Sequence, residues 1–190
     1  LGNPLTLGFV CMVAQYEEIP VSKAAIFRRF VDYFLRAPWR DVAMQRFDPA
    51  QLGQLKQDDE NVAWAMALYG PPSNPAWADI AELDELQRVI QGQSPYSVYA
   101  SGLLSPHGPV EPLGGTQQRI RWLHRALHEN FVAHRLCALV RARDTQWWQY
   151  FLRAAIEPTW NGALVQMLTL LSEADDLAVV MRELESQMRQ

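Results

Sequence analysis

The chain has 190 residues, nearly half of them apolar and a fifth charged, enough to bury a substantial core and unlike a disordered composition. A formal net charge of −4 excludes a general electrostatic attraction to nucleic acid or to anionic lipid. There is no secretory leader and no apolar run of about eighteen residues, so a cytoplasmic location away from the membrane is expected.

The sequence opens at Leu1 inside an apolar helical pattern and reads as a segment cut from a longer protein. Residues 5–16 predict a first helix, with Leu5, Phe9, Met12, Val13 and Tyr16 at helical spacing. Ser22 is placed to cap a second helix, in which Ile26, Phe30 and Phe34, flanked by Phe27, Val31 and Leu35, form one apolar stripe. Lys23, Arg28, Arg29, Asp32 and Arg36 take its opposite face. After Asp48-Pro49 a third helix is expected to about Tyr69, carrying Leu52, Leu55, Val62, Trp64, Ala65 and Leu68 and stopped by Gly70-Pro71-Pro72. Residues 78–91 predict a further helix and 95–101 a shorter one.

Two extended segments follow, at Leu103-Leu104 and Arg119–Leu123, around a tip rich in Pro and Gly that suits a β-hairpin. Helices followed by such a hairpin are in winged-helix order. From His124 a long helix runs to about Arg141, with Leu127, Phe131 and Leu136 inward. Asp144 is placed to cap the next helix, which holds Trp147 and Trp148 and ends before Pro158. Residues 160–171 and 173–189 predict a final helical pair, with Ser172 and Asp175 as its capping signal, and these last helices could begin a repeat array. The expected fold is therefore mainly α: a winged-helix-like domain with a small β-hairpin wing over 1–140, then the start of a second helical domain or bundle over 141–190.

Several chemistries find no carrier. Gly-Lys occurs nowhere, so there is no phosphate-binding loop, and no nucleophile elbow appears. Cys11 and Cys137 each sit in an apolar helical stretch and read as two buried thiols of a reducing compartment. His124 and His128 are one turn apart with Glu129 beside them, but no third ligand completes a metal site, and both histidines read as polar-face residues. No Lys or Arg lies between Arg88 and Arg119, an interval that includes the expected recognition helix and most of the wing. Without phosphate-neutralising charge there, nucleic-acid binding through the usual face is disfavoured. Basic residues collect instead at Arg119, Arg121, Arg125, Arg135, Arg141 and Arg143, the last three reading as a solvated face with interhelical ion pairs. His124 differs from its neighbours, because it projects from a helix N-terminus, where free N–H groups favour an anion.

The run Arg121-Trp-Leu-His-Arg-Ala-Leu-His-Glu-Asn-Phe-Val-Ala-His-Arg-Leu136 resembles the motif that closes the winged helix of NACHT-type signalling ATPases, the STAND-class or NOD-like group. Ala100-Ser-Gly-Leu-Leu104 resembles the family's segment at the start of the wing, and Asn3-Pro-Leu-Thr-Leu-Gly-Phe-Val-Cys11 the helix that follows its sensor region. The helix from Ser22 to Leu35 corresponds to the next one, so the ordered matches cover about residues 1–140. The resemblance implies that Pro4 packs against adenine and that His124 reaches a phosphate of bound ADP, as a neutral N–H donor or as an imidazolium. Glu129 matches the family acid, with a structural role. His128 stands where Gln is usual, Asn130 where an aromatic is usual, and Trp122 where the side chain is smaller.

By that resemblance the chain is a regulatory module with no catalysis of its own. It would close over ADP held by an upstream nucleotide-binding domain of the same chain and would control activation and homo-oligomerisation of the parent. ATP or ADP with Mg would belong to the parent; this fragment alone would bind no cofactor. Two other readings stand beside it: a helical interaction scaffold with a face built on Trp147, Trp148 and Trp160, and a nucleic-acid-binding winged helix, the disfavoured one.

Overall fold

The computed structural model describes residues 4–15, 22–36, 48–70, 76–79, 101–107 and 119–189. It is mainly helical. In chain order, α1 is Pro4–Ala14, α2 Lys23–Arg36 and α3 Pro49–Tyr69; three short strands follow, β1 Trp77–Asp79, β2 Leu104–His107 and β3 Arg119–Trp122. Then come α4 Arg125–Ala142, α5 Trp147–Ile156, a 3-10 turn Pro158–Trp160, α6 Asn161–Glu173 and α7 Leu177–Met188. The helix expected over 95–101 lies, up to residue 100, outside the described residues, as does the tip expected between β2 and β3.

Local signals account for most helix starts. The Ser22 hydroxyl accepts from the Ala25 N–H at 3.1 Å, and Asp48 and Gln51 close a reciprocal capping box at the start of α3. On α2 the apolar stripe is turned inward, with Phe27, Phe30, Val31 and Leu35 buried. Two helix ends carry a residue in the left-handed region, Arg143 at φ 51° and Asp175 at φ 57°. At both, the following N–H reaches back five residues to a carbonyl of the last turn: Asp144 to Leu139 at 3.1 Å and Asp176 to Leu171 at 2.8 Å. Ser172 and Asp175 therefore end α6 rather than begin α7, which corrects the capping signal expected of them.

The strands form one antiparallel sheet in the order β1-β3-β2, with Leu104 opposite Trp122 and Trp77 opposite Arg121. The helix expected over 78–91 does not start there, because Ala78 and Asp79 are paired with Ile120 and Arg119 as an edge strand. Its remainder lies outside the described residues.

One continuous apolar cluster runs from Phe9 through Met66, Leu103, Leu127 and Leu136 to Met167, Leu171 and Val180. At its centre α4 packs against α2, α3 and α6. Residues of both segments expected from the sequence, 1–140 and 141–190, contribute to it. Trp147 and Trp160 lie in this core, and Trp148 packs on its edge with its ring stacked on Phe151. Cys137 is buried, but Cys11 is exposed, against expectation. On α1 the inward residues are Phe9, Val10 and Val13, and at about 100° per residue Cys11 falls off that face.

Candidate functional site around His124

His124 is the N-cap of α4, in extended backbone conformation at φ −152° and ψ 140°. Its Nδ1 accepts from the Ala126 N–H at 3.1 Å. An acceptor nitrogen carries no proton, so the ring is the neutral tautomer with its hydrogen on Nε2. The ring is half-buried between two helices. Phe9 of α1 meets it edge-on at 6.0 Å between centroids, and Phe27 of α2 stacks on it at 6.4 Å with an interplanar angle of 18°. Burial, and then the nearby Lys23 ammonium, hold its pKa below the ordinary histidine value.

Pro4 opens α1, a first-turn position where a missing N–H costs nothing; its ring lies outside the described residues. Phe9 carries that same helix onto the His124 imidazole, so the structure brings α1 and His124 together.

His128 has a different setting from the polar face expected for it. It is buried, and its Nε2–H donates to the Ala63 carbonyl of α3 at 3.0 Å. Desolvation lowers its pKa to about 4. Trp122 lies against it, ring centroids 6.0 Å apart. Trp122 and His128, on either side of His124, therefore pack on one another. Asn130 is also buried and donates to Gln166 Oε1 at 2.9 Å, while Gln166 donates to the Ala126 carbonyl at 3.3 Å. That amide pair fixes α6 to the first turn of α4.

Glu129 accepts from Arg125 Nε at 2.9 Å, and its carboxylate lies on the Cα of Gly162 in the first turn of α6. A β-carbon at Gly162 would fall 2.2 Å from it. A carboxylate at a helix N-terminus is favourably placed, and here it ties α4 to α6.

Among the described residues no group of three His, Cys, Asp or Glu side chains is placed to hold a metal ion. Arg135 pairs with Glu60 at 3.6 Å and Arg141 with Asp176 at 2.7 Å, as interhelical contacts. In the sequence Lys23 belongs to a polar face; its place beside His124 depends on the packing of α2 against α4, which no local pattern encodes. Comparison of the chain with family models, with curated proteins and with solved structures finds no match.

Proposed function

We propose that the chain is the winged-helix and adjoining helical portion of a NACHT-type signalling ATPase, a regulatory module that closes over ADP held by an upstream nucleotide-binding domain. The observation that carries this reading is the setting of His124. The imidazole stands half-buried at the N-terminus of α4, tied at Nδ1 and protonated at Nε2, with the helix that begins at Pro4 packed beside it. A neutral Nε2–H is a directional donor suited to a phosphate oxygen.

The sheet supports the winged-helix assignment. What supports it is that β2 and β3 pair antiparallel, with β3 central and the short β1, which comes after the long α3, on its other edge. The segment that resembles the family's wing start is a fixed part of the fold. The Ser101 hydroxyl donates to Asp59 of α3 at 3.0 Å, Gly102 takes φ 73°, and Leu103 and Leu104 are buried. Among the described residues no helix is long and apolar enough to cross a membrane. Two free thiols suit the reducing cytoplasm in which such a switch would act.

In this mechanism contacts from Pro4 and His124 favour the closed, ADP-bound state. Exchange for ATP with Mg in the neighbouring domain opens the module and permits homo-oligomerisation, a two-state shift biased by ligand-dependent contacts. The aromatic-face scaffold gains nothing from the packing, since Trp147 and Trp160 are interior. The reading is tested by His124→Ala in the longer protein it requires. Loss of one hydrogen bond to a charged group, about 1.5–3 kcal/mol, shifts the closed-to-open ratio by roughly ten- to a hundredfold, and oligomers should appear without stimulus. A variant that stays as closed as the wild type overturns the reading.

A further inference from the structure

Trp122 ends β3 and His128 lies in the first turn of α4, and their two rings meet beneath the surface where the strand hands over to the helix. Trp122 is 3% exposed and His128 2%. Each nevertheless keeps one ring nitrogen buried with no hydrogen-bond partner, the indole Nε1 and the imidazole Nδ1. Such atoms are rare in folded proteins, because a buried polar group gives up its bonds to solvent and must regain them elsewhere.

The two nitrogens are complementary. An indole N–H can only donate. His128 uses its Nε2–H on the Ala63 carbonyl at 3.0 Å, and since a carbonyl only accepts, Nδ1 of the neutral ring keeps its lone pair. One unused donor and one unused acceptor therefore lie on adjoining rings. No hydrogen bond joins them directly; the ring centroids stand 6.0 Å apart, tilted by 59°. Phe131, whose ring centroid is 5.2 Å from that of Trp122, brings no polar atom to the place.

We propose that Trp122 and His128 together hold one buried water molecule, which accepts from the indole N–H and donates to the imidazole Nδ1. Water is the smallest species that does both at once, and proteins keep buried waters where polar groups would otherwise go without a partner. A cation is repelled by the indole N–H and an anion by the imidazole lone pair. The water ties the end of β3 to the first turn of α4, on both sides of His124, whether or not that residue meets a nucleotide.

The test is cross-relaxation with water in NMR spectra of the isotope-labelled 190-residue chain near neutral pH. The carbon-bound protons next to the two nitrogens, Hδ1 of Trp122 and Hε1 of His128, do not exchange with solvent, and both should show a cross peak with a long-lived water. In His128→Leu, which removes the acceptor, the Trp122 cross peak should be lost. Thermal unfolding checks that this variant is folded; if it is not, the wild-type spectra decide alone. A wild-type spectrum that lacks either cross peak overturns the proposal. So does a scalar coupling between Trp122 Nε1 and His128 Nδ1, the mark of a direct hydrogen bond, or an unchanged Trp122 cross peak in folded His128→Leu.

Discussion

Ser101 and Gly102 show how a short sequence segment becomes a fixed point in the fold. The buried hydroxyl of Ser101 donates to Asp59 and accepts from the Leu103 N–H at 3.2 Å, and Gly102 turns the chain through a left-handed φ into β2. A side chain at Gly102 would carry the left-handed backbone cost of about 1 kcal/mol. Ser101→Ala removes a donor from a buried carboxylate and should cost about 2–3 kcal/mol, seen as a lower denaturant midpoint with an unchanged slope; an unaltered midpoint would show that Asp59 does not need this donor. Residues of this kind are legible when their type allows few roles, as Gly in a turn or Ser at a helix start does. The left-handed positions at Arg143 and Asp175 are not, because neither residue type announces a positive φ. The burial of His128 is hidden for a related reason: a polar residue one turn from His124 looks solvated until α3 and Trp122 are packed over it.

Helices with a clean apolar stripe, α2 above all, could be read from the sequence to within a residue or so of their ends. A strand of three residues such as β1 carries no usable periodicity and exists because β3 offers it an edge. The contacts between elements, which make the site, were the least legible part. The α3–α4 contact has a measurable signature through His128. The fold holds this ring neutral, with its pKa lowered from 6.5 to about 4, so unfolded chains take up the proton first as pH falls. The stabilisation is whole above pH 6.5 and is lost progressively down to about pH 4, a loss of up to about 3 kcal/mol. Urea midpoints should fall between pH 7 and 5, and His128→Gln, which restores the residue usual in the resembled family, should flatten most of that slope. An equally steep slope in the variant would place the acid sensitivity elsewhere, with His124 or His134, whose pKa values are also lowered by burial. At the α4–α6 contact, Gly162→Ala drives a β-carbon into the Glu129 carboxylate and should cost about 1–3 kcal/mol. Pairing it with Glu129→Ala should recover much of that loss in a double-mutant cycle, and simple additivity would deny the contact.

Over the whole molecule, His124 is positioned by elements far apart in sequence that share one apolar cluster: α1 and α2 supply the rings around it, and α4, anchored by α3 and α6, supplies its backbone. On the proposed clamp reading, the imidazole is thus held by the core of the fold rather than by a single element. The most direct measurement separates that contact from the stability of the fold. Asn is a good N-cap but lacks the imidazole Nε2, so His124→Asn should keep the thermal stability of the wild type. On the proposed reading, a longer protein that also carries the nucleotide-binding domain should nevertheless release ADP roughly tenfold faster or more with this substitution. ADP release at the wild-type rate from a stably folded His124→Asn protein would contradict the account.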